Sequence, residues 1–201
     1  MKELYLTRHG QTEWNVCKRL QGQCDSPLTA KGREDARRLG EAMKDTPIDR
    51  VISSDLLRAR QTAELIAAGR LPVETDPRLR EIHMGDWEGV YLSALATSDP
   101  VGHELFAQGS PEFHPPNGES LRDVWARTAS FLEELVQCDA ESILLVTHGK
   151  TQAMLLEQLQ GRAFGAPTRV LTGTALTHFS YANGRFVLRT LGSTDHMVEH
   201  Q

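Results

Sequence analysis

At 201 residues the chain is long enough to form one domain with a large core of its own. A formal charge of −5 and an isoelectric point near 5.9 rule out a broad basic surface, so neither nucleic acid nor an anionic membrane is an expected partner. Cys17, Cys24 and Cys138 are odd in number and lack any C-x-x-C spacing, which argues against a disulfide framework and against a structural zinc site.

Lys2 and Glu3 follow the first methionine, with no apolar stretch behind them and no run of about 18 apolar residues further on. The expectation is a cytoplasmic protein without an export signal or membrane span. Leu4 to Thr7 is an apolar, β-branched run that reads as a buried strand. It stops at Arg8-His9-Gly10. Loops at the carboxyl ends of strands in open α/β sheets form ligand crevices, so an arginine and a histidine there can hold an anion and attack it. The plain alternative is a salt-bridging arginine followed by a turn histidine. His9 to Leu28 is long for a connection and contains Asn15, Gln21 and Gly22; loops of that length in compact domains are usually functional.

Thr29 reads as the N-cap of a helix with Ala36, Leu39 and Met43 on its apolar face, closed off by Pro47. Lys31, Arg33, Glu34, Arg37, Arg38 and Glu41 form its solvated face. Ile48 to Ser53 reads as a second strand, and Ser54 or Asp55 as the start of a helix carrying Ala59, Thr62, Ala63 and Ile66. Arg58 then falls in a first turn, where free backbone N–H groups and the helix dipole favour an anion. Leu71 to Thr75 is a short strand, and the backbone from Leu79 to Gly89 reads as irregular. Residues 90–118 look like a lid-like insertion, helical around Leu92 to Ala96 and Glu104 to Gln108 and then rich in proline. Ser120 and Asp123 suggest a capping box before a helix with Leu121, Val124, Trp125, Thr128, Leu132 and Leu135.

Ile143 to Thr147 is the most hydrophobic run and reads as a central strand ending at His148-Gly149, which repeats the arrangement at His9-Gly10. A helix from about Thr151 to Gln160 follows. Two strands, Ala175 to Tyr181 and Arg185 to Leu191, are joined by the hairpin signal Asn183-Gly184. The expected class is therefore α/β: a three-layer α/β/α sandwich, 1–201 as a single domain, with a mostly parallel central sheet and an antiparallel edge hairpin.

Four linked motifs carry a family resemblance: Arg8-His9-Gly10 with Thr12 and Asn15, Ser54 with Arg58-Ala59 and Thr62, Glu81 ahead of Gly85-x-Trp87-Glu88-Gly89, and Thr147-His148-Gly149. Together they resemble the histidine phosphatase superfamily, also called the phosphoglycerate mutase-like family. The resemblance implies a phosphate pocket at the carboxyl edge of the sheet, no cofactor, no metal, a small phosphorylated metabolite as partner, and a possible homodimer. Asn15, Gln21, Gly22 and Gly149 would join the phosphate- and substrate-binding residues.

A phosphomonoester is dianionic, and Arg8 and Arg58 offer fixed charge and fork-shaped donors for it. Neutral His9 is the candidate nucleophile, provided a backbone carbonyl fixes its tautomer. His148 would donate to a phosphoryl oxygen as charge develops. Glu81 would give a proton to the leaving alkoxide and then take one from water, crowded by the dianion; an ordinary salt bridge to Arg78 or Arg80 is the alternative. His83 and His114 could line the substrate side. Trp87, Trp125 and Phe131 read as core. His196 and His200 have the i, i+4 spacing of a metal pair, weighed against a solvated tail. Lys150 departs from the small or amide residues familiar at its place, and puts either a cation at the pocket mouth or an exposed lysine there.

Three functions compete: a metal-independent phosphatase for small phosphomonoesters, a phosphoglycerate mutase, and a non-catalytic phospho-ligand module. The module would be expected to lose His9 or Glu81, and both are present. No Lys or Arg occurs between Glu81 and Leu121, where mutase-type relatives would hold a distal arginine pair. That favours a phosphatase with an outer pocket for a neutral or partly apolar group, with Lys150 the nearest cation available for one additional acidic group.

Overall fold

A computed structural model describes residues 3–165 and 170–197. Six strands form one sheet: β1 (Glu3–Arg8), β2 (Arg50–Ser53), β3 (Val73–Thr75), β4 (Ser142–Thr147), β5 (Leu176–Ala182) and β6 (Arg185–Ser193). Their spatial order is β3-β2-β4-β1-β5-β6. The first four are mutually parallel, and β5 runs antiparallel to β1 and to β6. The sandwich and the edge hairpin read from the sequence are both present.

The sheet is central because β4 is apolar on both faces. All six of its residues are buried. Leu144 and Val146 pack with α2 (Ala30–Ala42) and α3 (Leu57–Ala67), whereas Ile143 and Leu145 pack with α6 (Leu121–Leu135) and α7 (Gly149–Leu159). A strand buried on both faces reads as a continuous hydrophobic run, which is what Ile143 to Val146 shows. Two further helices, α4 (Leu92–Ser98) and α5 (Pro100–Gln108), lie in the 90–118 segment. Leu95 and Phe113 from that segment join Ile82, Met84, Trp87, Val124 and Met154 in a third apolar cluster. Trp87 and Phe131 are buried, and Trp125 is partly buried.

Caps explain most boundaries. Thr29 accepts from Gly32 N, and Ser120 with Asp123 forms the expected capping box. The start of α3 differs from the sequence reading. It begins at Leu57 behind Leu56, which offers no side-chain cap. Ser54 and Asp55 do not serve, because the Ser54 hydroxyl accepts from Leu56 N and Asp55 is paired with Arg80. Helix α7 starts at Gly149, two residues earlier than expected, with His148 as an N-cap whose side chain makes no cap bond. The loop after β1 is also less irregular than expected. Thr12 and Asn15 close a capping box around a single turn, α1 (Glu13–Val16).

Candidate active site

The two histidine motifs meet because β1 and β4 are parallel neighbours in register. Arg8 pairs with Thr147, so His9 and His148 follow side by side at adjacent carboxyl ends. The His9 N–H donates to the Thr147 carbonyl at 2.9 Å, and the two imidazole centroids stand 5.1 Å apart. On the other side of β4, Ser54 N donates to the Val146 carbonyl as β2 ends, and the chain turns into α3 with Arg58. The parallel β3 ends at the same edge and delivers the backbone that leads to Glu81. Four strand ends thus supply Arg8, His9, Arg58, Glu81 and His148.

His9 is buried, and its Nδ1 donates to the carbonyl of Gly10 at 2.7 Å. That bond leaves Nε2 as the unprotonated ring nitrogen. Gly10 is itself fixed: its N–H donates to Thr62 Oγ1 at 3.0 Å, and Thr62 donates to the Arg58 carbonyl at 2.7 Å. Side chains are excluded at Gly10, where a Cβ would lie 2.5 Å from the Gly32 carbonyl oxygen. Burial holds the His9 pKa well below its ordinary value, with Arg8 and Arg58 adding to the effect. The His148 pKa is likewise held well below its ordinary value, first by burial and then by Arg58. Both rings are neutral at pH 7. Neither nitrogen of His148 has a hydrogen-bond partner among the described residues, although the ring is fully buried, where a polar group ordinarily has one.

Arg58 is 1 % exposed and tied to the preceding loop. Its terminal nitrogens donate to the carbonyls of Gly22 at 2.7 Å and Cys24 at 2.8 Å, and one pairs with Asp25 at 3.3 Å. The first turn of α3 is therefore not an open anion site, since Leu57 N also donates to Asp25. The role of Gly22 is geometric. Its φ is +52° and a Cβ would come within 2.2 Å of Glu88 Oε1, while its carbonyl aims Arg58. Arg8 bonds the Leu171 carbonyl at 3.2 Å and leaves Nε unpartnered. Asn15 uses its oxygen to accept from Thr12 N, which turns its amide nitrogen free.

Glu81 pairs with neither Arg78 nor Arg80, contrary to the salt-bridge alternative: Arg78 binds Asp76 and Glu134, and Arg80 binds Asp55. Its carboxylate instead caps α7 from outside the helix. Oε1 accepts from the backbone of Ile82, Lys150 and Thr151 and from the Thr151 hydroxyl, and among the described residues Oε2 accepts only from Lys150 N at 3.2 Å. This supplies the N-terminal bond that His148 does not make. A Cβ at Gly149 would lie 3.5 Å from Glu81 Oε2 and 3.7 Å from Arg8 Cζ; the bare glycine keeps a gap open between the acid and the arginine.

Arg8, His9, Arg58 and Glu81 line a cavity of about 160 Å³ with Asn15, Gln21, Gly22 and Gly149; His148, fully buried with its ring beside that of His9, is not on its wall. His83 and His114 are not on its wall. Sequence reasoning missed Arg19, Leu20, Met84, Phe106 and Val170, all of which are. The outer pocket is consequently not short of cations: Arg19 joins Lys150 there. Lys150 is no exposed lysine either, since its Nζ donates to the Phe106 carbonyl at 3.2 Å and lies 4.4 Å from the Phe106 ring centroid. Arg19 was legible only as part of the long loop; Thr151 had no signal apart from its place after His148. Among the described residues no group of three or more His, Cys, Asp or Glu is placed to hold a metal, and no helix is long and apolar enough to cross a membrane. His196 bonds Thr174, while His200 lies outside the described residues.

The model of the histidine phosphatase superfamily (branch 1) matches residues 4–194. The chain belongs to the histidine phosphatase superfamily. Within it, the chain is 38 % identical over 207 residues to a Proteus mirabilis protein named probable phosphoglycerate mutase GpmB, covering 99 % of this chain and 96 % of the relative. Solved histidine phosphatase structures match as well. Bacillus stearothermophilus YhfR superposes with a TM-score of 0.92 at 37 % identity, covering 98 % of this chain and all of that one. The α-ribazole phosphatase of Shigella flexneri gives 0.86 at 30 %, covering 96 % of each chain. A mycobacterial glucosyl-3-phosphoglycerate phosphatase in complex with VO3 gives 0.86 at 31 %, covering 96 % and 100 %.

Proposed function

We propose that this chain is a metal-independent phosphatase that hydrolyses small phosphomonoesters through a phosphohistidine on His9. The observation that carries the reading is the bond from His9 Nδ1 to the Gly10 carbonyl, made by a ring that burial and two arginines hold neutral. A neutral imidazole with a fixed tautomer is a competent nucleophile at pH 7. In the first step Nε2 bonds to phosphorus as the ester P–O bond breaks, and Glu81 protonates the departing alkoxide. In the second, water attacks phosphorus, Glu81 takes its proton, and the N–P bond breaks to return neutral His9 and release phosphate. Glu81 Oε2, with a single N–H partner among the described residues, is the oxygen suited to carry that proton. Arg8, Arg58 and His148 meet the charge on the phosphoryl oxygens, work that a metal pair does in other phosphatases.

A cavity of about 160 Å³ is below the ~300–1,000 Å³ usual for drug-sized ligands, which fits a small metabolite. Residues 1–201 act in this reading as one domain with 90–118 as its lid, because Phe106 of α5 forms part of the cavity wall. Rapid quench with ³²P-labelled substrate tests the intermediate. Label that is stable in base and lost in acid is expected in wild type and absent in His9→Ala; acid-stable label, or full activity of the variant, overturns the assignment. Activity is expected to survive EDTA, and loss restored by zinc or magnesium would defeat the metal-free chemistry. The mutase name of relatives at 38 % identity supports a second reading, tested by following 3-phosphoglycerate to 2-phosphoglycerate in parallel.

A further inference from the structure

Two cations on the cavity wall have no assigned work. Lys150 comes from the first turn of α7 and Arg19 from the loop after α1, and both line the cavity beside Leu20, Met84 and Phe106. They differ from Arg8 and Arg58, whose charges help to hold the His9 ring neutral. Neither has an ion pair with a carboxylate among the described residues; Lys150 Nζ has a carbonyl and an aromatic face, and Arg19 Nε has the Gly89 carbonyl. Burial alone depresses the Lys150 ammonium, with Glu81 opposing.

Lys150 is held by a carbonyl and a ring and not by an ion pair, so its ammonium lacks the close anionic partner that a substrate group could supply. Arg58 is already paired with Asp25, and Arg19 and Lys150 are the cations of the cavity wall left without an ion pair among the described residues once a phosphate lies against Arg8. Arg19 is preorganised, with its guanidinium 4.1 Å from the centroid of the Trp14 ring. On the same cavity wall Gln21 is only 8 % exposed and its amide oxygen has no partner among the described residues, so it can accept from a hydroxyl. We infer that Arg19 and Lys150 form a second anion subsite in the outer cavity, selecting phosphomonoesters whose organic part carries a carboxylate. This rests on the reading of His9 and its arginines as the phosphoryl site. It adds Arg19 to Lys150, the one cation expected to serve an acidic group, and revises the preference for a neutral outer group, which rested on the cation-free stretch from Glu81 to Leu121.

The test separates binding from turnover. In the His9→Ala protein, calorimetric titration compares 3-phosphoglycerate with glycerol 3-phosphate, which has a hydroxymethyl group in place of the carboxylate. The acid is expected to bind about tenfold or more tightly, as a charge-assisted contact allows. Adding Lys150→Met or Arg19→Met should each remove most of that ratio, and Lys150→Arg should keep it. Equal affinities for the two esters, or a ratio unmoved by both methionine variants, overturns the subsite. Arg19→Met decides the matter if Lys150→Met fails to fold. Phosphate release by the wild-type protein is read separately. A preference for the acid without any hydrolysis would remove the phosphatase reading and leave the subsite standing.

Discussion

Each of the three chemical groups is set by hydrogen bonds to backbone, local for His9 and long-range for Arg58 and Glu81. His9 depends on the Gly10 carbonyl, Arg58 on the carbonyls of Gly22 and Cys24, and Glu81 on the N–H groups that open α7. Glu81→Gln keeps an oxygen for those N–H groups but cannot supply a proton. It should therefore slow esters of poor leaving groups by roughly 10²–10⁴-fold and p-nitrophenyl phosphate far less, in pre-steady-state phosphoryl transfer; equal losses on both would make Glu81 structural. Burial also gives a pH signature. His9 and His148 titrate near 6.5 when unfolded and well below that when folded. The unfolded chain then binds the extra protons, so stability is complete above about pH 6.5 and falls as pH drops from there towards 5. Each histidine contributes a slope of up to ~1.4 kcal/mol per pH unit. Urea unfolding across that window should give a shallower slope in His148→Asn than in wild type.

The elements turn strand ends into a site through connections that packing alone does not supply. Thr62, one turn after Arg58 on α3, ties the Gly10 N–H and the Arg58 carbonyl together. Thr62→Val fills the same space without the hydroxyl and leaves a buried N–H unpaired, a loss of about 1–3 kcal/mol. Because the Gly10 carbonyl orients His9, kcat should drop in this variant by more than the KM rises, and a change confined to stability would show that the turn is held from elsewhere. Ser120 offers a contrast away from the chemistry. Its capping box with Asp123 opens α6, and Ser120→Ala should lower stability by about 1 kcal/mol in denaturant unfolding.

For the whole molecule the decisive strand is β4, which holds both helical layers and ends on His148. Leu144 faces α2 and α3, and Leu145 faces α6 and α7. Truncating either to alanine should cost about 2–5 kcal/mol, seen as a lower urea midpoint, from opposite faces of one sheet. Parallel pairing of β1 with β4 joins residues more than 130 positions apart, and that register, Arg8 opposite Thr147, brings the two histidine motifs to one place.

Much of this was legible in the sequence. Apolar runs, caps and the Asn183-Gly184 turn are local signals with local causes, so the strands, most helix ends and the hairpin could be read from residue types alone. The motif residues Arg8, His9, Asn15, Gln21, Gly22, Arg58, Glu81 and Gly149 do line one cavity, with His148 against His9. Tertiary structure decided the rest. Asp55 chose Arg80 over capping α3, and Glu81 chose the start of α7 over its arginine neighbours. Arg19 reached the outer wall from a loop far from Lys150. Those outcomes depend on which distant donor or acceptor lies nearest once the chain is packed, and no local periodicity encodes that distance.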